Sequence, residues 1–223
     1  MKRRLLVLCT PLLASTLVAR ATAADASISI AGIKEALALG TENAVKNLGR
    51  ENGYFANQAV KILLPSGMQK LADVARKAGF QPQVDELILT MNRAAEKAAP
   101  LAATHFANAI RGMGIQDVRA ILQGGDTGAT AFFERKTRDP LFAAFKPSVS
   151  KTVEQAGASR AYKSLMERVE RLPLLGRQKF DLEEHVTNKA LDGLFYMVGE
   201  EEKKIRRNPL ARTTSLLKTV FGN

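Results

Sequence analysis

The chain has 223 residues, 33 Lys and Arg against 22 Asp and Glu for a formal charge of +11, two histidines and a single cysteine. One cysteine excludes an internal disulfide or a thiolate metal cluster, and two histidines exclude a multi-histidine metal site. The length suffices for one well-cored domain without covalent staples, and no low-complexity linker or internal repeat divides it.

Residues 1–23 read as an export signal. Lys2, Arg3 and Arg4 make a cationic start, Leu5 to Ala19 an apolar run, and Ala21-Thr22-Ala23 a small-x-small cleavage pattern. The run is shorter than the roughly 20 apolar residues that span a membrane. Trimming after residue 23 predicts a mature single domain, 24–223, in the periplasm. It lowers the formal charge from +11 to +7, because the segment holds four cations and no acid. Cys9 is lost with the signal, and Leu6-Val7-Leu8 before it lack the small residue expected next to a lipidated cysteine. An exported basic protein meets anionic head groups and envelope polymers rather than nucleic acid. The expected partners are therefore anionic lipid, a small amphipathic ligand or another envelope protein, with no nucleic acid and no cofactor.

Ile33, Leu37, Ala44, Val45 and Leu48 recur at helical spacing and Gly49 closes the segment. Val60 to Leu64 is the best strand candidate, although a helix explains it as well. Ser66 with Gln69 predicts a capping-box start for a helix that stops at Gly79. Val84, Leu87, Ile88, Met91, Ala95 and Ala98 make the cleanest apolar stripe, ending before Pro100. Residues 101–110 and 117–122 read as two further helices, the second closed by Gly124-Gly125. Asp126 is expected to cap a helix carrying Phe132 and Phe133, and Pro140 to open a separate one. Ser159 opens a helix through Leu165 and Val169. Asp181 with Glu184 starts a long helix to about Arg207, Asn208-Pro209 breaks it, and Thr214 or Ser215 begins a last short one. The expected class is all-α, with no significant sheet.

Motifs that would name a reaction are missing. Gly124 to Thr130 resembles a phosphate-cradling loop but lacks the lysine before the threonine and a preceding strand. His185 lies four residues after Asp181, but Leu182 stands where a Glu-x-x-His metal pair needs its glutamate, so a solvated or capping role is expected. His105, beside Phe106, reads as a packed residue.

Charge on otherwise apolar helix faces says more. At about 100° per residue, Val186, Ala190, Leu194, Met197, Val198 and Ile205 share one arc of the 182–206 helix, and Glu201 falls inside it. A buried carboxylate needs a partner, and the expected partner is Arg93, Arg138 or Arg212. Asp85, Leu89, Asn92 and Glu96 form a polar-edged stripe on a second covered helix surface. Asn92, Arg93, Glu96, Arg138, Glu201, Arg212 and Thr213 are therefore the candidate site residues. The expected function is binding; a hydrolase-like enzyme assembled from Asp, Glu, Arg and Thr side chains is the alternative. The run from Glu200 to Arg207 places acids before cations at i,i+3 and i,i+4 spacing, an ordinary solvated pattern with a positive end that can touch anionic lipid.

Four strings carry a resemblance: Gly-Ile-Lys-Glu-Ala-Leu (32–37), Met-Asn-Arg-Ala-Ala-Glu (91–96), Ala-Leu-Asp-Gly-Leu-Phe (190–195) and Asn-Pro-Leu-Ala-Arg-Thr-Thr (208–214). With the export signal they make the chain similar to the bacterial family known as domain of unknown function 4197, over essentially the whole mature length. That resemblance implies an exported, helical, single-domain protein and brings no catalytic residue or cofactor with it.

Overall fold

The computed structural model describes residues 14–114, 121, 124–169 and 180–221, with side chains from residue 27 onward. Among these residues the elements are α1 (Ala14–Leu48), α2 (Ser66–Ala75), α3 (Gln81–Ala98), α4 (Ala102–Arg111), α5 (Gly128–Gln155), α6 (Ala158–Val169), α7 (Leu182–Arg207) and α8 (Ser215–Phe221), with no strand. The helix expected over 117–122 and the first 13 residues of the signal lie outside the described residues. Helix α1 begins at Ala14, inside the stretch read as a signal. No described helix is long and apolar enough to cross a membrane.

Helix α7 is buried on two faces, because α1 covers one and α5 the other. Tyr54, just past the end of α1, donates to the carbonyl of Ala190 early in α7, while Glu35 of α1 meets Thr214 beyond the end of α7. The two helices are therefore antiparallel. A Cβ on Gly193 would lie 2.5 Å from the ring of Tyr54, so glycine is what lets that ring lie against α7. Phe106, Phe133 and Phe195 join α4, α5 and α7 in one aromatic cluster with centroids 5.3–5.9 Å apart, the spacing at which edge contacts add to simple burial. Helix α3 packs on α5, α6 and α7.

Several local expectations change in the folded chain. Asp181 caps α7 as its spacing predicts, accepting from the Glu184 N–H at 2.8 Å. Ser66 is not a cap: extended Pro65 occupies that position and no side chain bonds there. Helix α2 ends at Ala75 and a π-turn, Arg76–Phe80, carries the chain to Gly79 at φ +87, a conformation glycine reaches without steric cost. Asp126 pairs with Arg207 instead of capping α5, whose N-cap is Thr127. The two helices expected around Pro140 are one. Helix α5 runs through Pro140 and Pro147, and Ala129, Phe133, Thr137, Leu141, Phe145, Val149 and Val153 are all buried at a spacing of four. A proline interrupts the local ladder, but packing of that unbroken row holds the helix together. Lys61 to Pro65 is neither strand nor helix.

The expectation for Glu201 is corrected. It is half-buried, and its partners are Lys204 and the amide of Asn43, not an arginine. The fully buried carboxylate is its neighbour Glu202, 2% exposed and paired with Arg206 at 2.7 Å. The arc drawn from α7 was too narrow: Leu191, Phe195 and Gly199 are buried as well. Glu201 faces α1, where Gly40 would place a Cβ 3.4 Å from it, whereas Glu202 faces α5.

Candidate functional site

The seven residues picked out from the sequence do not converge. Asn92, Arg93 and Glu96 work together, but on the chain's own backbone. The Asn92 amide accepts from the Ile62 N–H at 2.9 Å and donates to the Ile62 carbonyl at 2.8 Å, pairing with this extended segment as a strand would. Glu96, 3% exposed, accepts the N–H groups of Tyr54 and Phe55 at 3.1 and 3.0 Å on one oxygen and Arg93 at 2.6 Å on the other. Arg93 also reaches Asn52 and Glu51. Together they fasten residues 51–62 to α3 and leave no open cleft between them. Arg138 lies on the surface of α5 with Glu134 and Asp192, the latter on α7. Arg212 donates to the carbonyls of Ile205 and Arg206 at the end of α7, and Thr213 is exposed beside it.

Two of the concave regions among the described residues are candidates. The first is a polar groove along α7, made of cavities of 480 and 390 Å³ that share Asp192 and Tyr196. Its carboxylates are already paired: Asp192 with Arg138 and Lys189, Glu134 with Arg138, and Glu200 with Lys203. His185 donates from Nε2 to the Leu63 carbonyl at 2.8 Å, and burial holds its imidazole below the ordinary value.

The second is an apolar groove of 460 Å³ between α1 and α4. Ala38, Thr41 and Val45 form one wall, and Ala103, Ala107 and Ile110 the other. These positions recur at three- and four-residue spacing, so each wall is one helix face, and the short alanine side chains leave the space between the two faces unfilled at the surface. Glu42, Lys46 and Arg111 edge the groove. Lys34 adds a further cation at one end by donating to the Arg111 carbonyl at 2.9 Å. Thr41 is 5% exposed, and its hydroxyl has no hydrogen-bond partner among the described residues. An unpartnered buried hydroxyl costs about 1–3 kcal/mol. A helical threonine ordinarily turns that hydroxyl to a carbonyl three or four residues back, as Thr90, Thr137 and Thr187 do here.

A charge-centred reading of the sequence does not find this groove, because its walls are uncharged and half of their residues are alanines. The available signal was Ala103 and Ala107 one turn apart on a short helix otherwise carrying Phe106 and Ile110 inward.

No curated protein and no solved structure matches the chain. A family model described as a protein of unknown function, DUF4197, matches residues 23–222, and with nearly the whole chain covered the protein belongs to that family.

Proposed function

We propose that this is an exported binding protein of the periplasm that holds an anionic amphiphile, its apolar chain lying in the α1–α4 groove. The observation that carries this reading is the unpartnered Thr41 hydroxyl in an otherwise apolar groove. A ligand oxygen reaching Thr41 would satisfy it, and Lys34, Lys46 and Arg111 outnumber Glu42 three to one around the groove. A volume of 460 Å³ lies within the roughly 300–1,000 Å³ of small-molecule sites. Export is supported by the cationic start, the apolar run and the Ala-Thr-Ala junction, and the family match begins at that junction, at residue 23.

The test is titration of the full-length chain with a fluorescent anionic acyl chain. Ala107→Leu fills the groove from a partly exposed position, and is expected to abolish binding with the helical circular dichroism unchanged. Thr41→Val is expected to weaken binding while raising stability, since it removes a hydroxyl that the fold leaves unpaired. Binding that is undiminished in Ala107→Leu overturns the assignment.

A further inference from the structure

Leu210 is 90% exposed, while the next most exposed large hydrophobic among the described residues, Leu63, reaches 53%. Single exposed apolar residues are common on protein surfaces. What sets Leu210 apart is the rigidity of the turn that presents it. Asn208 accepts the Leu210 N–H on its side chain at 3.0 Å, the Ala211 N–H on its carbonyl at 3.0 Å, and donates its own N–H to Lys204 at 2.8 Å. Pro209 fixes one further backbone angle, and its carbonyl accepts the Arg212 N–H at 3.2 Å. Arg212 then ties the turn to α7 by donating to the carbonyls of Ile205 and Arg206 at 2.9 and 2.8 Å. The backbone around Leu210 is thus held in place while its side chain rests on almost nothing. A leucine with no structural task could relax onto the body of the protein or be any polar residue at no cost to the fold.

The chemistry around the turn selects the partner. From Lys203 to the end of the chain there are six cations; Lys203, Lys204, Arg206 and Arg207 pair with Glu200, Glu201, Glu202 and Asp126, which leaves Arg212 and Lys218 without a carboxylate partner among the described residues. Arg207 and Arg212 lie within three residues of Leu210. Arg207 is shared with Asp126, but Arg212 has only backbone carbonyls as acceptors and Lys218 of α8 has no carboxylate partner among the described residues. A projecting apolar side chain with cations on either side matches an anionic bilayer surface, where each cation near the head groups contributes about 1 kcal/mol. A protein pocket would bury a leucine equally well but gives no reason for the cations left without a carboxylate beside it.

We propose that the Leu210 turn docks the protein on an anionic membrane, Leu210 entering the interfacial layer while Arg207 and Arg212 meet the head groups. This stands on different residues from the groove and does not depend on it. Either assignment can fail alone.

The chain contains no tryptophan, so Leu210→Trp places a single local reporter that is excited selectively at wavelengths the tyrosines do not absorb. Because the reporter is local, attachment of the full-length chain through its N-terminal apolar run does not register. With phosphatidylglycerol vesicles the emission of Leu210→Trp is expected to shift to the blue and become protected from an aqueous quencher. With phosphatidylcholine vesicles, or with phosphatidylglycerol in molar salt, no shift is expected, because screening removes the head-group attraction. Leu63→Trp, the second most exposed leucine, should stay unshifted throughout. Replacing Arg207, whose side chain does not hold the turn, by Gln in the reporter background should weaken the apparent affinity about fivefold, the ratio corresponding to one surface cation. Emission from position 210 that ignores phosphatidylglycerol, that shifts equally with phosphatidylcholine, or that is matched at position 63 overturns the proposal.

Discussion

Glu96 and Glu202 solve the same problem in two places, and the difference lies in what each holds. Both are almost fully buried, both have an arginine on their own helix, and both accept backbone N–H groups from another element. Glu96 uses one oxygen for the N–H groups of Tyr54 and Phe55, and so fastens a loop. Glu202 takes Ala129 on one oxygen and both the N–H and the hydroxyl of Thr130 on the other, and so caps α5. Helix α5 has no side-chain cap of its own: the Thr127 hydroxyl caps no N–H there, and no acid occupies the first turn. The four free N–H groups of a helix start need acceptors, and here the acceptor comes from a helix 70 residues later in the chain. A carboxylate that reads as a surface charge in sequence thus becomes the joint between two helices.

The comparison breaks most directly at the carboxylates. Removing one partner of a buried ion pair costs roughly 3–5 kcal/mol. Glu202→Ala and Glu96→Ala are both expected in that range, with Glu202→Ala the larger because it strands three donors and Arg206 together. Glu96→Ala strands two, and Arg93 keeps Asn52 and Glu51. Urea denaturation of both variants decides the order, and equal or reversed midpoints would show that capping α5 and holding the loop are equivalent.

A smaller effect sharpens the loop side. Tyr54 is fully buried, and burial, with Glu96 and Asp192 nearby, keeps its phenol protonated well above the usual range. Its hydroxyl donates to the Ala190 carbonyl at 2.7 Å. Tyr54→Phe should cost about 1–2 kcal/mol, the worth of one buried hydrogen bond. A cost as large as that of Glu96→Ala would mean that the tyrosine hydroxyl, as much as the carboxylate, fastens the loop.

His185 provides a second fastening of the 51–65 segment, through Leu63, and this one titrates. Burial lowers its folded-state value below the unfolded one near 6.5. The unfolded chain therefore binds the proton first, and stability from this residue is present above that value and falls as pH drops from it toward the folded value. His185→Gln keeps a donor for the Leu63 carbonyl without a charge, and should flatten the denaturation midpoint across that acidic window. An identical pH profile in the variant would remove His185 from the account.

The smallest expected effect is at Glu201. Its Lys204 partner is 61% exposed, and such pairs contribute about 0–1 kcal/mol. Glu201→Ala should barely move the midpoint that Glu202→Ala lowers severely, although the two residues are adjacent.

The sequence by itself determined the helical class, the stripe of α3, the Asp181 cap and the break at Asn208-Pro209, because each rests on residues within a few positions of one another. It also placed Asn92 and Glu96 on one covered helix face and marked the i,i+3 and i,i+4 charge pattern of residues 200–207, while giving Glu201 an arginine partner that the fold replaces with Lys204. What Asn92, Arg93 and Glu96 hold was decided by tertiary structure, because their partners on the 51–62 segment lie 30 to 42 positions away. Glu202 outranks Glu201 because a second helix covers the face that a one-arc reading leaves open. Helix α5 survives two prolines because the row from Ala129 to Val153 is buried along its whole length. The α1–α4 groove is a property of two helix faces meeting, and alanines announce such a space only once the helices that flank it are in position.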